Sequence, residues 1–334
     1  MLYTTVCTFN LTHACKMQEG ITPNMKMNNK IIGIVIAAIV LIGAGVFALN
    51  SGDDDTKENK NNEQTSQTTQ ADLPFNFSVG NLSPLESGIY EGWVVRGDAK
   101  YSFGTFNTDA SSNIVGDLKL DNVTPQDGDK IVVTIEPVPD DSPDPSPTVV
   151  LAGDVVSGAA TLSFPVDVSN FAGKYILATP SNGDNTTETA GVWFLSLETG
   201  SITTGLDLPV APDGWIYEGW AVYNGVPLTT GQFKDPAAAD NFDGYTGPES
   251  VPALPGEDFI VNLPEGTETP VDLANGSSKI VISLEPYING SDPTGEGPAQ
   301  VKPLVADVAA GAADHETFNM MLDTSSLPTG SASL

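Results

Sequence analysis

The sequence predicts an all-β chain built as two tandem copies of one β-sandwich, and three observations carry that prediction. Beyond residue 73, hydrophobicity alternates with period two in short β-branched runs separated by Gly, Pro, Asn and Asp, and no segment shows a 3.6-residue stripe. The chain holds 33 Gly and 25 Pro in 334 residues, a turn-rich composition that excludes a single large helical bundle. Finally, the chain repeats itself. Ile89-Tyr90-Glu91-Gly92-Trp93-Val94-Val95 returns as Ile216-Tyr217-Glu218-Gly219-Trp220-Ala221-Val222, and Gly104-Thr105-Phe106 returns as Gly231-Gln232-Phe233, both at an offset of 127.

Residues 1–30 read as a short cytoplasmic segment, with Met25 or Met27 as alternative starts, since each opens a compact basic stretch before the apolar run. Residues 31–49 contain no charge, and nineteen residues at 1.5 Å each reach about 28 Å, enough for one transmembrane helix. Lys26 and Lys30 precede the run and Asp53, Asp54 and Asp55 follow it, which places the N-terminus in the cytoplasm and the bulk outside the cell membrane. The apolar stretch is longer than a signal peptide's, so an uncleaved anchor is expected; cleavage after Ala48, giving a secreted protein, is the alternative. Residues 51–72 carry no aromatic or large aliphatic side chain, cannot offset their ordering entropy, and read as a disordered polar stalk.

The first sandwich is assigned to residues 73–200, with strands predicted at 89–95, 101–107, 114–120, 130–136, 148–156, 160–166, 174–179 and 191–197. The second is assigned to residues 205–334. Its strand Lys279 to Glu285 matches Lys130 to Glu136 at an offset of 149 rather than 127, so a 22-residue insertion lies within 234–278. Aligning Gly153-Asp154-Val155 with Ala306-Asp307-Val308 leaves no counterparts for the strands 174–179 and 191–197. The second sandwich is therefore expected to be incomplete at its C-terminal side, with residues 328–334 forming no closing strand.

Charge and chemistry narrow the function. The balance of 13 Lys and Arg against 43 Asp and Glu gives a net charge of −30, which excludes nucleic acid as a partner. Cys7 and Cys15 both precede the apolar run, and with His13 they match no zinc spacing, so neither a metal nor another cofactor is expected. His13 and His315 are the only histidines, no nucleophile or phosphate-binding motif occurs, and no catalytic residues are assigned; the chain does not read as an enzyme.

Glu91, Glu218, Glu136 and Glu285 recur within strands and are expected to be hydrogen-bonded structural glutamates, while Tyr90, Tyr217, Trp93 and Trp220 are expected in the core. The acidic stretches 140–147 and 235–243 lack the order of a calcium loop and read as solvated. Sequons at Asn76, Asn81, Asn122, Asn185, Asn275 and Asn289 would suit a glycoprotein. Phe242, Tyr245 and Phe259 lie in the insertion and are the candidate interaction loop, because recognition sits on loops carried by a rigid scaffold. Deleting that insertion is expected to weaken partner binding with little change in melting temperature.

The Tyr-Glu-Gly-Trp strand, the Gly-x-Phe turn and the strand ending in Glu-Pro before a Gly/Ser/Asp/Pro/Thr loop resemble the extracytoplasmic domain of the anti-sigma-K factor family. The match is close at Glu285-Pro286 with 289–295 and looser at Glu136-Pro137 with the proline-rich 140–145. The resemblance implies a borrowed outer domain in two copies, because at most thirty cytoplasmic residues leave no room for that family's sigma-binding part. The function expected is a membrane-tethered module that binds an extracytoplasmic protein or glycan. A regulatory sensor acting through a separate cytoplasmic partner is the alternative.

Overall fold

A computed structural model describes residues 75–183 and 188–333, all within the compact unit Thr69–Leu334. The expected cytoplasmic segment, transmembrane helix and stalk fall outside the described residues. Among the described residues no helix is long and apolar enough to cross a membrane.

These residues are all-β. The first half supplies β1 (Asn76–Gly80), β2 (Ile89–Arg96), β3 (Ala99–Thr108), β4 (Ile114–Gly116), β5 (Lys130–Glu136), β6 (Val149–Asp154), β7 (Ala159–Ser163), β8 (Ala172–Leu177), β9 (Gly191–Trp193) and β10 (Leu195–Ser196). Two short strands follow, β11 (Thr203–Thr204) and β12 (Leu206–Asp207). The second half supplies β13 (Trp215–Tyr223), β14 (Val226–Phe233), β15 (Gly256–Asp258), β16 (Lys279–Pro286), β17 (Leu304–Asp307), β18 (Phe318–Asn319), β19 (Met321–Leu322) and β20 (Thr329–Ser333). The strand predicted at 114–120 stops at Gly116. Its partner β3 bends at Gly104, whose φ of +123° takes the backbone out of the extended region, so the ladder covers Phe106 to Thr108 alone.

Both copies of the motif fold the same way. β2 pairs with β3 and β5, and β13 pairs with β14 and β16; the first ladder of each shifts register at the equivalent point, after Gly92 and after Gly219. A glycine is needed at that step because a core ring crosses it. A Cβ at Gly92 would lie 2.1 Å from the Phe103 ring, and one at Gly219 would lie 2.5 Å from Phe194 and 2.2 Å from Thr230 Oγ1. β13 and β16 are buried almost throughout, which explains why Ile280-Val281-Ile282 reads as a continuous apolar run rather than an alternation.

The pairing beyond these centres was not readable from the sequence. One sheet runs β1-β20-β7-β6-β5-β2-β3-β4, so β20, from the end of the second half, sits between two strands of the first. Conversely β8, from the first half, lies between β12 and β18, and its neighbour β9 pairs with β15 from the insertion. The remaining large sheet is β14-β13-β16-β17-β19. The second half thus contributes β20 to the sheet of the first, and β8 and β9 of the first half build a shared sheet with β12, β15 and β18. One apolar cluster spans both halves, with Phe164 meeting Trp215 edge-on at 5.3 Å and Phe171 meeting Tyr217 at 6.2 Å.

The expectation that residues 328–334 form no closing strand is corrected. Thr-Gly-Ser-Ala-Ser has weak β-propensity and only Ala332 is fully buried, yet it pairs along all five residues with β1 on one side and β7 on the other. Two ready-made ladders override the local preference.

Candidate functional site

Strand alternation puts Tyr90 and Tyr217 on one face and Glu91, Trp93, Glu218 and Trp220 on the other. On that second face each half builds the same relay. The Trp93 indole donates to Thr134 Oγ1 (2.9 Å), and Thr134 donates to Glu136. Trp220 donates to Ser283 Oγ (2.8 Å), and Ser283 donates to Glu285. Each glutamate then accepts one backbone amide from the loop that returns after Glu-Pro. Ser146 N lies 2.9 and 3.2 Å from the Glu136 oxygens, and Ala299 N lies 3.0 and 3.1 Å from those of Glu285. These glutamates tie a loop back to the strand it left. Tyr90 donates its hydroxyl to the Ser83 carbonyl (2.8 Å), whereas the buried Tyr217 hydroxyl has no partner among the described residues.

The second half adds a feature the first lacks. Glu218, Glu285 and Asp292 bring carboxylate oxygens within 4.8 Å of one another, with the two glutamates buried. Glu218 accepts from Thr229 Oγ1 (2.5 Å) and Gln232 Nε2 (2.9 Å), and Asp292 accepts from the amide and hydroxyl of Thr294, both at 2.7 Å. Burial pushes the Glu285 carboxyl well above the usual carboxylate range and the neighbouring Asp292 raises it further; burial likewise raises Glu218 and Asp292. Glu285 and Asp292 lie close enough that charge on Asp292 disfavours charge on Glu285, which favours a proton held within the group. The trio could ligate a cation, but its oxygens are already engaged by amides and hydroxyls and fall short of the six to eight that calcium takes. A retained proton fits these donors better.

The insertion is not a solvent loop. Its β15 extends the β8–β9 sheet, and Glu257, Asp258 and Phe259 are buried. Phe242 and Tyr245, the other two members of the expected interaction loop, are half-buried and join Phe259 in one chain of rings, edge-on at 4.9 Å and tilted at 6.1 Å. The trio therefore packs the loop onto the fold. Asp258 accepts from Ser181 N (2.7 Å), Ser181 Oγ (2.5 Å) and Trp193 Nε1 (2.8 Å), which pins the insertion to the first half. Asp240 accepts from Phe242 N and Gly256 N, each at 2.9 Å, so the acidic stretch 235–243, expected to be solvated, holds a half-buried carboxyl. The signal that could have found this was Gly256-Glu257-Asp258 running directly into Phe259-Ile260-Val261, a turn-bounded apolar run with acids at its start.

Burial raises Glu257 to about 7 and Asp240 to about 6. A carboxyl raised on folding adds stability that is complete below its unfolded value of 4.5 and is lost as pH climbs through about 7. Stability to denaturant is accordingly expected to fall between about pH 5 and pH 8, by on the order of 3 kcal/mol from Glu257. In Glu257→Gln this fall should be smaller by that amount. An unchanged pH slope in the variant would count against the assignment.

A small cleft of about 20 Å³ opens where the two halves meet, lined by Leu82, Tyr90, Ile135, Trp215, Leu284 and Val301 with Ser83, Thr294 and Gln300 among its polar groups. His315 lies elsewhere, exposed beside Asp314 at 3.1 Å. Compared with family models, curated proteins and solved structures, this chain matches none.

Proposed function

We propose that this chain is a membrane-anchored extracytoplasmic protein whose two repeats, each built on a β-sandwich like the outer domain of anti-sigma-K factors, act as one binding module for a protein or glycan at the cell surface. The observation that supports this reading most is the interlocking of the halves through β8 and β20. A unit whose sheets are shared is a rigid platform, and a rigid platform behind a polar stalk and an apolar run suits display. The buried ionisable groups support the same reading, since Glu136, Glu285 and Asp258 hold backbone amides in place rather than facing a substrate.

A regulatory sensor that works through a separate cytoplasmic partner is the second reading, favoured by the Tyr-Glu-Gly-Trp and Glu-Pro motifs. The two differ in what the anchor does. Replacing residues 1–49 with an unrelated signal anchor should leave a display module working and silence a sensor.

Topology is tested on intact cells. External protease is expected to cut within residues 51–72 and release both repeats as a single resistant fragment, because the halves share strands. Protection of the repeats until lysis would overturn the display reading, and two separately released repeats would overturn the claim that they work as one. Cross-linking on the same cells identifies the partner.

A further inference from the structure

The loop from Tyr287 to Gln300 closes over the carboxyl trio of the second half and reaches across to the first. Its Pro293 carbonyl accepts from the amides of Glu86 (2.9 Å) and Ser87 (3.3 Å), and its Gln300 Oε1 accepts from Ser83 Oγ (3.1 Å). Gly295, at φ +104°, passes so close to Glu86 that a Cβ there would lie 2.7 Å from the carboxylate. Thr294, Ala299 and Gln300 of this loop also form one wall of the cleft between the halves. Glu285 holds the loop from below by binding the Ala299 amide, while Asp292, within the loop, binds the Thr294 amide.

We propose that this loop is a proton-held latch: it stays docked on residues 83–88 while Glu218, Glu285 and Asp292 retain a shared proton, and it lifts from them, widening the cleft, when all three carry charge. The arrangement leaves little to offset that charge. Glu218 faces Glu285 from β13, Glu86 faces Asp292 from the segment before β2, and Asp240 faces Glu218 from the insertion, all of them acidic. Lys302 faces Glu285 from the segment before β17, but its Nζ is given to the Ala299 carbonyl (2.5 Å), and its charge is shared with Asp323. Moreover, Asp292 is the one member of the trio carried by the loop itself, so repulsion among the three acts directly on the element that can move. Burial and mutual repulsion both favour the protonated form of Glu285 and Asp292, which is the docked form.

Hydrogen exchange on the full-length chain tests this, at about pH 5 and pH 8 in the presence of EDTA, with times scaled for the intrinsic rate. Protection of the Glu86, Ser87 and Ala299 amides, which bind the loop to its surroundings, should fall about tenfold or more at the higher pH, while the amides of β16 from Lys279 to Ile282, paired on both sides, keep theirs. In Asp292→Asn, which removes the charge and keeps an oxygen for Thr294 N, the loop should stay protected at both values. Loop protection that does not change with pH in the unmodified chain overturns the latch, as does a loss that β16 shares equally. Should Asp292→Asn fold and still lose protection at pH 8, the latch is likewise overturned. The unmodified chain decides the matter even if the variant does not fold.

Discussion

Expressed without the second half, residues 73–200 are expected to show no cooperative melting transition, and residues 205–334 are expected to fare no better alone. Cut apart in the exposed turn at Thr199-Gly200-Ser201 and co-expressed, the two halves should purify as a one-to-one complex that melts cooperatively. The reason is the exchange of strands. Without β20, β1 loses its only partner strand among the described residues and β7 loses one of its two, leaving open backbone along both. Without the second half, β8 and β9 lose β12, β18 and β15, and Phe171 and Phe164 lose Tyr217 and Trp215. Each deficit is of the kind that costs more than about 4 kcal/mol, against a typical domain stability of about 5–15. Size-exclusion chromatography and calorimetry on the separate and combined halves check this; a monomeric, cooperatively melting 73–200 would refute the interlock.

Asp258→Ala should be the most damaging single substitution in the insertion, lowering stability by about 3–5 kcal/mol. It removes the acceptor for Ser181 N, Ser181 Oγ and Trp193 Nε1 at a site without solvent, and all three donors stay buried. Asp258→Asn keeps one acceptor oxygen and should cost less. Denaturant unfolding measures the difference, and a loss below about 1 kcal/mol for the alanine variant would mean the insertion is held by something else. Removing the whole insertion should likewise lower the melting temperature, the reverse of what its reading as an added loop predicts, because β15, Glu257 and Phe259 leave with it.

Much of the fold's centre was legible in the sequence. Strands with β-branched residues and a repeat at a fixed offset state their own position, and Ile89 to Val95, Lys130 to Glu136 and their later counterparts lie where the pattern predicts them. Choice of partner is another matter. Period two says that a segment is a strand and which side chains share a face, but nothing about whether its neighbour comes from the same repeat. The strand Lys174 to Thr179 is assigned to the first sandwich, and it pairs there with β9, but it also pairs with β12 and β18, which the sequence does not announce. Thr329 to Ser333 was invisible for a different reason: small polar residues give no propensity signal, and its strand character comes entirely from β1 and β7. The candidate site divides along the same line. Glu91, Glu136, Glu218 and Glu285 stand out because they recur, whereas Asp240, Glu257 and Asp258 lie in the insertion, where no counterpart in the first half singles them out.

The position of β20 also sets how the molecule bears force. β1 and β20 run antiparallel, with Asn76 opposite Ser333. A pull that enters at residue 75 and leaves at residue 333 meets the ladder at one end and unzips it pair by pair, each step breaking little. A pull that enters at residue 75 and leaves through a ligand held on the second half, with β20 tied to β7, drags β1 lengthwise and must shear all five residue pairs together. Held on the N-terminal side of residue 75 and gripped on the second half, the protein would present its stiff direction to the load.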